Sequence, residues 1–212
     1  IGANGIIPIG AETVIDYCLK LKKPLVIFIN GMDKPNADYK GTLTALKEKY
    51  AGRLAPIQIP VMQGEKMTGY VNAIQERCYE FSTSGPKEVP LPPELKAEME
   101  EMQASLMESA AENDELLLDK YFSDGKLSKE DAVHGIRKGI LTGGVIPVMA
   151  GSALTNRGVI NLLDEIVTYM PAAADRQNTL ATDLEKDDLV AVACEEDGPF
   201  AAQVFKTVYD PY

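Results

Sequence analysis

Leu25-Val-Ile-Phe-Ile-Asn-Gly-Met-Asp33 decides how this chain is read. Its first five residues form an unbroken apolar run, bounded by Pro24 on one side and by Asn30-Gly31 on the other. Such a run reads as a short strand buried on both faces, as in a parallel sheet covered by helices. Ligands of open α/β sheets sit just past the carboxyl ends of the strands, where Asn30 and Asp33 fall. A carboxylate there can accept two hydrogen bonds from a flat edge carrying two adjacent N–H donors. Guanine has that edge and adenine does not. A site built to pair such donors rejects the wrong base by roughly four orders of magnitude. Asn and Asp are also common turn and helix-cap residues, so the pair needs a second element to define a site.

That element comes more than a hundred residues later. Val145–Met149 is a second apolar run, and Ala150-Gly-Ser-Ala-Leu154 follows it. If the two strands are parallel neighbours, their trailing loops share one edge of the sheet. Asn30 and Asp33 then face Ser152 and Ala153. Asp33 takes the donors of the base, and a backbone N–H near Ala153 binds its carbonyl oxygen. Pro147 inside the second run places that strand at an edge or in a distorted position.

Around these strands the chain alternates helical and extended patterns. Val14, Ile15, Cys18 and Leu19 give 11–22 a helical face, and Leu43 and Leu46 do the same for 36–50. Between 54 and 81, alternation at Ile57, Ile59 and Val61 and the later Tyr70-Val71 and Tyr79-Glu80-Phe81 suggest a small sheet, and the stretch between them is left open to helix. The segment 82–93 holds four prolines and reads as a loop. Leu95, Met99, Met102 and Leu106 give the acidic stretch 94–115 one packing face, and 114–122 reads as a further short helix. Ser128 and Asp131 form a capping-box pattern that opens a helix carrying Ala132, Val133, Ile136 and Ile140 and ending at Gly143-Gly144. A last helix spans 158–170, with Val159, Leu162, Leu163, Ile166 and Val167 inward. The stretch 172–185 reads as a polar linker. Two strands, 188–194 and 199–209, then suggest the opening of a β domain, because a lone hairpin is marginal in water.

Composition narrows the function. The chain has 212 residues and a net charge of −11, which argues against holding nucleic acid through phosphate contacts. No apolar run approaches the roughly 18 residues of a membrane span. There is no signal-peptide pattern at the start. The chain opens at Ile1 without an initiating methionine, which suggests a piece of a longer protein. Cys18, Cys78 and Cys194 are scattered, as expected of thiols in a reducing cytosol and not of disulfides or a metal site. His134, the only histidine, is expected at an ordinary surface position with no evident partner.

With both loops in hand, the chain resembles translation elongation factor G, the ribosomal translocation GTPase, and its close paralogues. Asn30-Gly31-Met32-Asp33 matches the fourth guanine-nucleotide motif, Asn-Lys-x-Asp, except at its second position. Ser152-Ala153-Leu154 matches the fifth, followed by Asn156-x-Gly158-Val159. The intervening block, including Ile136-Arg137-Lys138-Gly139, is similar to the insert of that family. Gly198-Pro-Phe-Ala-Ala202, Val204-Phe-Lys206 and Asp210-Pro-Tyr212 are similar to the start of its second domain. The long insert resembles factor G more than the tetracycline-resistance or release-factor relatives.

The resemblance implies an α/β fold: part of a P-loop-type GTPase domain, a parallel sheet with helices, carrying an inserted α+β subdomain and followed by the first strands of a β-barrel. The implied divisions are 1–53 and 143–171 for the GTPase domain, 54–142 for the insert, 172–186 for a linker and 187–212 for the barrel. It implies a cytoplasmic protein that binds GTP and GDP through Asn30, Asp33, Ser152, Ala153 and Leu154, with Mg²⁺ in the full-length parent. The implied partners are the ribosome and, through the insert, its stalk protein, with no direct nucleic-acid binding and no membrane. Two departures bear on this. Gly31 replaces a lysine whose stem lies along the base in the family. No Gly-x-x-x-x-Gly-Lys-Ser/Thr occurs in the sequence, so no catalytic residue or Mg²⁺ ligand is assigned and the chain alone is expected not to hydrolyse GTP. Asp38-Tyr-Lys-Gly41 matches Asp-x-x-Gly in form but lies in the wrong order, and reads as loop or helix. The rival expectation is a divergent, non-hydrolysing paralogue or ribosome-interaction module with a decayed nucleotide site.

Overall fold

A computed structural model describes residues 1–175, 179–183, 186–195, 197–198 and 201–210. It divides into two units, Ile1–Met170 and Pro171–Tyr212. The first contains a three-stranded parallel sheet in the order β1-β7-β2, formed by β1 (Ile27–Asn30), β2 (Leu54–Pro56) and β7 (Ile146–Gly151). Helices α1 (Ile9–Lys20) and α2 (Tyr39–Tyr50) contribute to the core around this sheet. The strand expected at 25–29 is thus displaced by a residue or two and ends on Asn30, the first residue of the loop of interest. Asp38 caps α2 by accepting the Gly41 N–H at 2.8 Å, so the out-of-order Asp-x-x-Gly is a helix start.

Between β2 and β7 lie a four-stranded antiparallel meander and three helices. The strands are β3 (Gln58–Gln63), β4 (Lys66–Asn72), β5 (Arg77–Ser82) and β6 (Gly85–Val89), hydrogen-bonded in that order. The helices are α3 (Lys96–Ala111), α4 (Glu115–Asp124) and α5 (Lys129–Thr142). Strand alternation gives the meander two working faces. Ile59 and Val71, cross-strand partners, join the core made with α3 and α5. Tyr70, the residue before Val71, joins the core of the parallel sheet with Met67. The capping box of Ser128 and Asp131 forms as expected, and Lys120 pairs with the same Asp131 carboxylate.

Several expectations are corrected. The stretch between Val71 and Tyr79, which the sequence leaves open to helix, is the end of β4, a turn over 73–76 and the start of β5. The proline-rich loop contains β6, an edge strand, where a proline is tolerated. Leu54–Pro56, placed with the insert in the sequence reading, pairs with β7 in the parallel sheet. Pro147 lies in the central strand and not at an edge. Its neighbours show why this is tolerated. The Ile146 N–H and the Val148 carbonyl bond toward the β2 side, to Arg53 and Ile57 at 2.6 and 3.1 Å. The pairing with β1 begins at Ile27↔Val148, one residue past Pro147. The missing N–H therefore points where β1 has not yet begun.

Helix α6 (Val159–Tyr169) reverses the expected orientation. Its buried residues are Asn161, Glu165 and Tyr169, whereas Leu163 and Val167 are 56% and 80% exposed. Glu165 Oε1 accepts a 2.8 Å hydrogen bond from Asn72 Nδ2, and Asn72 Oδ1 in turn accepts the Ile74 and Gln75 N–H groups. This bridge between β4 and α6 pulls the polar stripe of the helix inward. On α1, Val14 is likewise exposed while Ile15 is buried.

In the second unit, β8 (Thr179–Thr182) pairs antiparallel with β9 (Leu189–Val192). The hairpin therefore uses residues expected to be linker. The expected partner strand 199–209 carries no strand over 201–209, and Pro199, Phe200, Pro211 and Tyr212 lie outside the described residues, as do Leu184 and Glu185.

Candidate functional site

Strands β1 and β7 end level with each other, with Asn30 opposite Gly151 in parallel register. Their loops therefore leave the same edge side by side, as the apolar runs predicted. Asn30 is fixed on every side that matters. Its N–H donates to the Ile1 carbonyl at 2.7 Å, and its carbonyl accepts the Ala3 N–H at 2.9 Å. Its Oδ1 accepts two N–H groups at 2.9 Å, from Gly31 and from Ala153. The second of these joins the two loops directly. The sequence leads one to expect a backbone N–H near Ala153 to meet a ligand carbonyl; the Ala153 N–H itself is donated to Asn30.

A second tie runs from the Met32 N–H to the Gly151 carbonyl at 3.1 Å. The Met32 side chain is buried in the core under the parallel sheet. That anchor turns Asp33, the next residue, to a half-buried position at the loop surface. Asp33 has no ion-pair or hydrogen-bond partner among the described residues, so its acceptors are open.

The fifth-motif loop closes on itself. Ser152 and Arg157 exchange backbone hydrogen bonds of 2.8 and 3.0 Å, and Ser152 Oγ accepts the Thr155 N–H at 3.2 Å. Ser152 is buried, Ala153 is exposed and Leu154 is 87% exposed. Arg157 also donates through Nη1 to the Met67 carbonyl at 2.8 Å, which fastens the loop to β4. Met32, Asp33, Lys66, Ser152, Thr155 and Arg157 are among the residues lining a cavity of about 270 Å³ beside the loops. Sequence reasoning missed Arg157 and Lys66. Arg157 stands in the variable position between Asn156 and Gly158, and nothing local signals its bond to a strand ninety residues away.

His134 is exposed, as expected, but has a neighbour: its Nε2 lies 3.8 Å from Asp114 Oδ2. Lys138 shares that carboxylate at 2.7 Å and, as its strongest contact, holds the Asp114 carboxyl below the usual range. Asp114 is the N-cap of α4, so this cluster belongs to a helix junction. No helix among the described residues is long and apolar enough to cross a membrane.

Parallel strands flanked by helices, with paired loops at their carboxyl edge, define an α/β domain of the P-loop GTPase type. The elongation factor Tu GTP binding domain family matches residues 4–172, and the chain belongs to that family. A crystal structure from Thermus thermophilus is similar in fold, with a TM-score of 0.77 and 23% sequence identity over 85% of this chain. The matched region is 27% of that longer chain. The chain is thus a member of the elongation factor Tu GTP binding domain family, with an antiparallel sheet and helices set between two strands of its parallel sheet.

Proposed function

We propose that these residues are the guanine-recognising part of an elongation factor G-like GTPase acting in ribosomal translocation. The observation that carries this reading is the Asn30 Oδ1 to Ala153 N–H bond, which holds the two motif loops together. Asp33 then accepts the two adjacent N–H donors of guanine. Asn30 Nδ2, with no partner among the described residues, is left to donate to an acceptor of the base, and Ser152, Ala153 and Leu154 supply the other loop of the pocket. The residues present fit the base and not the phosphates. With no phosphate-loop sequence among them, Mg²⁺ and the hydrolytic step belong to other residues, and the 212-residue chain by itself does not turn over GTP. The expected setting is the cytoplasm, on the ribosome, with the insert available to the stalk protein.

Competition between GDP and ADP, measured in the gene product that contains these residues, tests this directly. Preference for GDP by roughly two orders of magnitude or more supports a working base pocket. Equal or absent binding supports the second reading, a ribosome-interaction module with a decayed site, which the bare backbone at Gly31 favours.

A further inference from the structure

We infer that Lys34 does at this loop what no side chain at position 31 can do, walling the base with its stem and attracting the nucleotide with its ammonium. The inference rests on reading Asn30–Asp33 and Ser152–Leu154 as a base pocket. Gly31 is buried and has φ +87°, a conformation that suits glycine. A Cβ built on it would stand 3.4, 3.5 and 3.8 Å from Cδ, Cε and Cγ of Lys34. These are ordinary van der Waals separations, so the aliphatic stem of Lys34 lies against that backbone on the side a Cβ would take. A tight turn puts it there, closed by the Lys34 N–H donating to the Gly31 carbonyl at 3.0 Å.

A purine is polar along its edge and apolar on its faces. Asp33 answers the edge, and a face needs an apolar wall. Lysine suits this task because its methylenes can be covered while its ammonium stays in water. The ammonium of Lys34 has no carboxylate partner among the described residues. In a chain with net charge −11, an unpaired cation next to Asp33 offsets repulsion of an anionic nucleotide.

The test is displacement of a fluorescent GDP analogue from the gene product containing these residues, compared with Lys34→Ala and Lys34→Met. Unfolding midpoints are measured without nucleotide. Lys34→Ala is expected to weaken GDP binding about tenfold and to flatten its salt dependence, with the midpoint unchanged because Lys34 is exposed. Lys34→Met should recover affinity through its stem yet keep the flattened salt dependence. Wild-type GDP binding that Lys34→Ala leaves unaltered overturns the role of Lys34 while the base pocket stands. Failure of the wild type to bind GDP overturns the pocket itself, and this inference with it.

Discussion

Asn30 illustrates how much one side chain can settle. Its carbonyl oxygen serves two loops at once, so Asn30→Ala strips acceptors from the Gly31 and Ala153 N–H groups. We expect this to cost about 1–2 kcal/mol of loop order and to lower GDP affinity about tenfold, read by the same displacement titration. Glu165 is a different case. Burial pushes its carboxyl up to about 7, opposed by the Asn72 hydrogen bond and assisted by the neighbouring Asp164 charge. A carboxyl raised above its unfolded value of 4.5 contributes most below pH 4.5, and that contribution is lost as the pH rises through 7. Wild type should therefore lose roughly 3 kcal/mol between about pH 4.5 and pH 8 relative to Glu165→Gln. Denaturant midpoints of the two proteins at both pH values check this, and parallel pH profiles would contradict it.

Elements show where the sequence was legible and where it was not. Strands β1 and β7 announced themselves as apolar runs because both faces are covered, and the motif loops followed from where those runs end. The Ser128 cap was legible because capping is local. Helix α6 was misread because periodicity reports an apolar stripe without saying what faces it. Here a buried Asn72–Glu165 bridge turned the polar stripe inward. Pro147 was misread because its tolerance depends on where the neighbouring strand starts. The crossing of α3 and α5 was likewise invisible. A Cβ on Gly135 would run into the Ala110 carbonyl, so the two helices meet backbone to backbone there. Gly135→Ala should destabilise the protein by about 1–3 kcal/mol in urea unfolding, although alanine favours an isolated helix. A stabilised variant would show that the helices part easily.

At the scale of the molecule, one chain carries the edge proposed to read the base and, between two strands of the same sheet, an acidic helical layer. On α3, Glu98 is engaged with Lys40 at 3.1 Å, whereas Glu101 and Glu108 are exposed. If the insert docks on the ribosomal stalk protein, Glu101→Lys with Glu108→Lys should lower stalk affinity and leave GDP binding intact; unchanged stalk affinity sinks the docking role. The central claim, that Asp33 and the two tied loops read guanine, has its most direct test in one specificity measurement. Asp33→Asn replaces two acceptors by an acceptor and a donor, which suits the 2-oxo edge of xanthine. The affinities of wild type and Asp33→Asn for GDP and xanthosine diphosphate should therefore cross over, with GDP weakened and xanthosine diphosphate strengthened, each by about a hundredfold. A variant whose ratio of the two affinities matches that of the wild type would contradict the assignment of Asp33 to the base.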